Sequence, residues 1–137
     1  MILYIQTPSI PRSELHNQLV RTMVKYLDGC EQFSEIRWFV NIDVITTSTT
    51  RKGDFIWEDF SVTEQNFTNI SKELIKTSLN INISPTPCFY LAFRNLTLSV
   101  LEDIKKSNLK TSEYCVMWLE DDWSFIDEEK FNKNLDI

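Results

Sequence analysis

The chain has 137 residues, of which 42% are hydrophobic and 25% are charged, so it is long enough for one domain with a substantial core and ordinary in composition for a globular protein. Its net charge of −6 argues against a general nucleic-acid binder, because phosphate backbones require a basic surface. The only glycines are Gly29 and Gly53, and neither a GxGxxG nor a GxxxxGK(S/T) pattern occurs, which excludes a glycine-rich phosphate loop of either kind.

The first part of the chain predicts two strands and one helix. Ile2–Gln6 is an apolar run typical of a buried strand, and the proline-stiffened loop TPSIPR follows it. The next helix is expected to begin after Ser13, a residue type that caps helix N-termini, and to end before Gly29. A second buried strand is predicted at Ile36–Ile45, and residues 46–60 are expected to form a loop with one short hairpin.

The second part predicts two more helices and two more strands. A capping-box spacing at Ser61 and Glu64 marks the start of one helix. A short strand at Ile81–Ser84 precedes a helix that runs from Phe89 to about Lys106, and the fourth strand is Tyr114–Leu119. The residues expected on the buried sides of these two helices are Phe67, Ile70, Leu74, Ile75, Ala92, Leu96, Val100 and Ile104.

The order of these elements predicts the fold. Continuous apolar strands that alternate with amphipathic helices indicate a mostly parallel sheet covered on both faces, which is a doubly wound, three-layer α/β/α, Rossmann-like architecture. We expect one domain over residues 1–137, a strand order of 3-2-1-4, and a short acidic helix at residues 124–137. The first and fourth strands then lie together at the topological switch point, where ligands bind at the carboxyl ends of the strands.

Three adjacent carboxylates follow the fourth strand in the stretch YCVMWLEDDW, at Glu120, Asp121 and Asp122. Adjacent carboxylates repel one another and are costly to desolvate, so they require water, a basic partner or a metal ion. Along an extended backbone Glu120 and Asp122 point the same way, and two hard oxygen ligands on one side suit Mg²⁺ or Mn²⁺. A solvated acidic turn is the alternative interpretation.

Two stretches together resemble a known family. AFRNLTLSVLEDIKKSNLKTSEYCVMWLEDDW is similar to the pattern of family-two-type, GT-A-fold glycosyltransferases, in which a helix with Ala-x-Arg-Asn precedes a strand that ends in the DXD or EDD motif. YIQTPSIPR, followed by a helix and FVNID, resembles the first two strands of the same family. The resemblance covers most of residues 1–125 and lies in the order and spacing of the motifs together.

The resemblance implies a nucleotide-diphosphate sugar donor that lies across the strand ends and a Mn²⁺ or Mg²⁺ cofactor. It implies that Asp122 is the metal ligand, together with Glu120, and that Glu120 and Asp121 contact the metal or the ribose. Asp43 would lie near the base or ribose, and Arg94 would reach the base or the diphosphate. The residues expected to border the nucleotide are Thr7, Pro8 and Arg12.

The chain departs from the family after the acidic motif. A GT-A enzyme continues into a second half that builds the acceptor site, but only residues 124–137 follow Trp123 here. We therefore expect a donor-binding half whose acceptor is a glycan or protein of unknown kind, and whose catalytic residue the sequence does not identify. Whether it is an enzyme stays open, and the alternative is a non-catalytic nucleotide-sugar-binding or interaction module. A homodimer, or a partner that supplies the missing half, is a further expectation.

The acidic cluster also allows a metal-dependent phosphoryl-transfer function. A nuclease or phosphoryl-transfer domain is a further alternative, disfavoured by the acidic charge and the lack of a basic stripe.

His16 is expected to be structural. The cysteines, Cys30, Cys88 and Cys115, show no CxxC spacing, so free thiols in a reducing compartment are expected. With no signal peptide and no run of transmembrane length, the sequence predicts a cytoplasmic protein.

Overall fold

The computed structural model describes residues 1–11, 14–44 and 58–121. The predictions made for Arg12, for the cap at Ser13, for the hairpin, for Asp122 and for the C-terminal helix lie outside these described residues. The elements of the described chain, in order, are β1 (Ile2–Ser9), α1 (Glu14–Asp28), β2 (Glu35–Asp43), α2 (Phe60–Lys72), β3 (Thr77–Ser84), α3 (Phe89–Lys106) and β4 (Tyr114–Trp118).

The four strands form one parallel sheet in the order β3-β2-β1-β4. This confirms the predicted α/β class, the doubly wound arrangement and the position of the first and fourth strands side by side. β1 pairs with β2 on one side and with β4 on the other, so the topological switch point lies between β1 and β4 at their carboxyl ends. None of the helices in the described ranges is long and apolar enough to cross a membrane.

The two faces of the sheet bury different sets of side chains. Trp38 and its apolar neighbours on β2 join α1 and α2 in the larger core, where the Trp38 and Phe67 rings meet edge to face with centroids 5.3 Å apart. On the opposite face Tyr4 and Phe39 pack against α3 in a smaller core. The side chains of α3 that reach the sheet are Ala92, Leu96 and Val100, with Ile104 partly buried, as the helical spacing predicted.

The first strand is longer than predicted. The expectation that it stops at Gln6 is wrong, because β1 continues through Pro8, which pairs with Asn41, to Ser9. Proline has no backbone N–H to donate to a neighbouring strand, so it is tolerated in a sheet only where no strand needs that donor. Beyond Gln6, β1 is paired with β2 alone, so this part of the strand is an edge and accepts the proline.

The boundaries of α2 and β3 also differ from the prediction. The N-cap of α2 is Asp59, whose Oδ1 accepts a hydrogen bond of 2.8 Å from the Ser61 backbone, rather than Ser61 itself. The helix ends at Lys72, so Ile75 lies beyond it and is 95% exposed, not buried. β3 begins at Thr77 rather than Ile81 because its polar and apolar residues alternate, as suits an outer strand covered on one face.

Candidate functional site

A cavity of about 200 Å³ lies at the carboxyl ends of β1, β2 and β4, where α3 begins. It occupies the switch point of the sheet, the place where ligands bind in doubly wound folds. The strands deliver polar and acidic groups to it, and the first turns of α3 deliver an apolar wall. Its lining residues are Pro8, Ser9, Ile10, Asp43, Phe89, Ala92, Glu120 and Asp121.

Asp121 joins the end of β4 to the end of β1. Its Oδ2 accepts hydrogen bonds from the Ser9 hydroxyl at 2.9 Å and from the Ile10 backbone N–H at 3.3 Å. The Asp121 side chain is 3% exposed, and hydrogen bonds to a buried carboxylate are stronger than those between neutral groups. Asp121, the buried one of the two acidic residues that line the cavity after β4, therefore fixes the conformation of the chain where it leaves β1.

Asp43, the last residue of β2, brings a second carboxylate into the cavity and is 7% exposed. Burial raises the pKa of its carboxyl above the ordinary value for aspartate, since the charged form is desolvated. Hydrogen bonds from the Asn41 side chain and the Cys88 backbone N–H oppose that rise in pKa. Asp43 is thus a cavity-lining carboxyl whose pKa is shifted by its surroundings, and shifted pKa values are enriched at functional sites.

Asn41 holds Asp43 through a chain of side-chain hydrogen bonds. Its Nδ2 donates to Asp43 Oδ1 at 3.2 Å, and its Oδ1 accepts from Asn82 Nδ2 at 2.7 Å and from the Ser84 hydroxyl at 3.1 Å. Ser84 in turn accepts from Asn95 Nδ2 at 3.4 Å. Two donors on Oδ1 fix the orientation of the buried amide, so that its N–H group faces Asp43.

Glu120 lines the cavity from the β4 side and is only partly buried. The Trp118 indole N–H lies 3.4 Å from Glu120 Oε1, a long hydrogen bond. The Trp118 ring is itself packed against Phe93, with centroids 5.6 Å apart, and against Phe89 at 6.2 Å. These aromatic contacts connect the acidic side of the cavity to its apolar wall on α3.

Of the residues predicted to form the site, the structure brings four to the cavity, namely Pro8, Asp43, Glu120 and Asp121. Thr7 is elsewhere: it is fully buried, and its hydroxyl oxygen accepts a 2.8 Å hydrogen bond from the Trp38 indole in the larger core. Arg94 is exposed on α3 and is absent from the cavity lining. Arg12 and Asp122 lie outside the described residues, and so does the side chain of His16.

The cavity offers hard oxygen donors, the ligand type that Mg²⁺ and Mn²⁺ prefer. Within residues 1–11, 14–44 and 58–121 no group of three or more His, Cys, Asp or Glu side chains is arranged to hold a metal ion. A Mg²⁺ site commonly uses only one or two carboxylates, with water and substrate phosphates completing the octahedron. The donor chemistry at Glu120 therefore fits a divalent ion, and the metal-binding role of Glu120 with Asp122 stays a prediction.

Ser9, Phe89 and Asn41 are residues of the site that the sequence alone did not single out. Ser9 lies in the segment TPSIPR, which the sequence predicts to be a loop, and the sequence marks Phe89 only as the start of a helix. Asn41 carried a usable signal, because a carboxamide inside the apolar run FVNID must find buried hydrogen-bond partners. Such a residue at a strand end points to a polar network nearby.

Comparison of the chain with protein families, with curated proteins and with solved structures finds no match, so the geometry of this cavity and the residues around it are the basis for assigning a function.

Proposed function

We propose that the chain is the donor-binding half of a metal-dependent glycosyltransferase that uses a nucleotide-diphosphate sugar. The observation that carries the proposal is the meeting of Asp43, Glu120 and Asp121 with the β1 exit residues Pro8 and Ser9 around one cavity at the switch point. This is the arrangement that the resemblance to GT-A enzymes implies for a donor site. The proposed compartment is the cytoplasm, in keeping with three free cysteines.

The cavity supplies the two kinds of contact that a nucleotide donor requires. Asp43, with its raised pKa, presents a carboxyl that can accept or, when protonated, donate a hydrogen bond to a hydroxyl or a base. Phe89, 64% exposed at the mouth, offers an aromatic face to a planar ring. Glu120 and Asp122 would hold the metal ion, which would supply charge neutralisation for the diphosphate leaving group.

The size of the cavity limits what it encloses. Pockets that enclose drug-sized ligands measure about 300–1,000 Å³, whereas this cavity measures about 200 Å³. It therefore accommodates one moiety of a nucleotide sugar, and the remainder of the donor lies over the open carboxyl edge of the sheet.

The proposal is tested by thermal unfolding of the chain with UDP-, GDP-, dTDP- and CMP-sugars, each with and without Mn²⁺. We expect one nucleotide class to raise the melting temperature only when Mn²⁺ is present. Ligand at about 100 times its Kd stabilises the native state by about 2.7 kcal/mol, which is a shift of several degrees for a chain of this length.

Variants at the cavity make this experiment specific. Asp122→Asn and Glu120→Gln should abolish the metal-dependent shift without lowering the melting temperature of the free protein. Glu31→Gln is the matched control, because Glu31 is an exposed acid in the connection between α1 and the amino end of β2, and it should leave the shift intact. Absence of a shift with every donor would contradict the proposal.

Turnover separates the enzyme from the non-catalytic alternative. Release of free nucleotide from the donor, or transfer of the sugar to an acceptor, is expected of a glycosyltransferase and not of a binding module. Cleavage of a phosphodiester in place of donor binding would instead identify a metal-dependent phosphoryl-transfer domain.

A further inference from the structure

The outward face of α3 is unusually apolar. Six of the ten large hydrophobic side chains that are exposed in the described residues belong to this one helix. Two of them, Phe89 and Phe93, contact the Trp118 ring at the cavity wall, and the other four are Tyr90, Leu91, Leu98 and Leu101. Single exposed apolar residues are normal, but a contiguous set on one element marks an interaction surface.

Helical geometry places Leu91, Leu98 and Leu101 on the side of α3 that faces away from the core. At 3.6 residues per turn, Leu98 lies on the opposite side of the helix from Leu96, which is buried against the sheet. Leu91 and Leu101 lie on the same outward side as Leu98. Leu91 is 38% exposed, Leu98 52% and Leu101 55%. These three leucines, here called the leucine face, belong to neither core cluster of the described residues.

Two opposite charges flank the centre of the leucine face. Arg94 lies four residues before Leu98 and Glu102 lies four residues after it, so all three share one side of α3. Both charged residues are exposed. Within the described part of the chain neither has an ion-pair partner, since the salt bridges there join Arg21 to Glu73 and Arg37 to Glu35 and Asp103.

We propose that this face binds a second copy of the chain, with the two α3 helices antiparallel about a two-fold axis at Leu98. In this arrangement Leu98 packs against Leu98 of the other copy. Arg94 of each copy meets Glu102 of the other, because both residues are equally far from the axis in sequence. Such self-complementarity is what an isologous dimer requires, whereas a different partner protein would not need the two charges to be placed symmetrically.

The dimension of the face sets the expected strength. α3 has 18 residues and is therefore about 27 Å long, so a contact between two such helices falls near or below the lower size limit of about 1,200 Å² for stable complexes. We expect a reversible dimer with a micromolar Kd. The antiparallel arrangement also directs the two α3 N-termini, with their cavities, to opposite ends of the dimer, and both cavities stay open.

Sedimentation velocity over a low to high micromolar concentration range tests the dimer. The wild-type chain should change from monomer to dimer across this range, and Leu98→Glu, which places two carboxylates at the axis, should stay monomeric. Val62→Glu is the matched control, because Val62 is an apolar residue of α2 with similar exposure, 46%, and it should dimerise like the wild type.

A charge exchange tests the orientation of the helices. Arg94→Glu and Glu102→Arg should each weaken the dimer at least about tenfold, because attractive pairs on both sides of the axis become repulsive. The double variant Arg94→Glu/Glu102→Arg should recover the wild-type Kd. A wild-type chain that is monomeric throughout, a Val62→Glu chain that behaves like Leu98→Glu, or a double variant that fails to recover would overturn the proposal.

Discussion

At the scale of single residues, Asn41 and Asp43 are polar side chains that the fold buries at the end of β2. Asn41 is fully buried and Asp43 nearly so, on a strand whose other face is wholly apolar. A buried carboxamide is tolerated only when its hydrogen bonds are made, and Asn41 makes them with Asn82, Ser84 and Asp43. Burial of polar groups at a strand end does not favour folding, and such departures from an apolar core are expected at sites that bind a ligand.

The first prediction concerns Asp43→Asn. Because burial raises the pKa of the Asp43 carboxyl, its ionised form is less favourable in the folded chain than in the unfolded chain, and an amide removes that charge while keeping an acceptor oxygen. We expect the free energy of unfolding to rise, on the order of 0.5–2 kcal/mol, as for other relieved functional sites. Urea unfolding measures it, and donor-dependent stabilisation should be lost in the same variant.

Asp43→Ala distinguishes the charge from the hydrogen bonds. This variant also removes the negative charge, but it leaves the Asn41 amide and the Cys88 N–H without their acceptor. We expect Asp43→Ala to be less stable than Asp43→Asn by about 1–3 kcal/mol, the cost of an unsatisfied buried polar group. Equal stability of the two variants would contradict the role given to these hydrogen bonds.

At the scale of secondary-structure elements, sequence patterns predicted the parts that are decided locally. The stripe of α3 was predicted correctly because one face of a helix repeats its burial every three or four residues. The end of β1 and the start of β3 were not, because both depend on which strands pair on either side. The same holds for the site. Asp43 and Glu120 could be predicted because they lie at the ends of predicted strands, whereas the roles of Asn41 and Ser9 depend on contacts with residues distant in the chain.

Asp28 connects two elements and carries the second prediction. As the last residue of α1, it accepts hydrogen bonds from the backbone N–H groups of Ile75 and Lys76, at 2.9 and 3.0 Å, and from the Thr77 hydroxyl at 2.7 Å. Burial alone would raise the pKa of its carboxyl, but hydrogen bonds from Ile75, Thr77 and Lys76 outweigh burial and lower it. The start of β3 is thereby tied to the end of α1.

Asp28→Asn should therefore loosen this connection. An amide has one acceptor oxygen in place of two and presents an NH₂ group to donors, so at least one of the three hydrogen bonds is lost. We expect the free energy of unfolding to fall by about 1.5–3 kcal/mol near pH 7, the range for hydrogen bonds to charged groups. Glu31→Gln, an exposed acid in the adjacent turn, is the control and should change stability by less than about 0.5 kcal/mol.

At the scale of the whole molecule, two carboxyls, the partly exposed Asp103 and the buried Asp43, affect the pH dependence of folding with opposite sign. Burial would raise the pKa of Asp103, but hydrogen bonds from Tyr4 and Arg37, at 2.6 Å each, outweigh burial and lower it. A carboxyl with a lowered folded pKa stabilises the fold above its unfolded pKa and loses this contribution as pH falls through the folded pKa. Asp43, with a raised pKa, favours the fold at low pH and loses that contribution as pH rises through its folded pKa.

The third prediction is that Asp103→Asn and Asp43→Asn depart from the wild type with opposite sign and in different pH windows. Near pH 7 the Asp103→Asn chain should be less stable than the wild type by about 1.5–3 kcal/mol, and the difference should shrink only below about pH 4, where wild-type Asp103 becomes protonated. The Asp43→Asn chain should be more stable than the wild type near neutrality. As pH falls, this difference in stability should begin to shrink before the difference for Asp103→Asn does, because wild-type Asp43 takes up its proton at a higher pH than wild-type Asp103. Urea unfolding of the three proteins at a series of pH values measures both differences, and a common window for the two would show that Asp43 titrates like an ordinary surface carboxyl and that the cavity does not desolvate it.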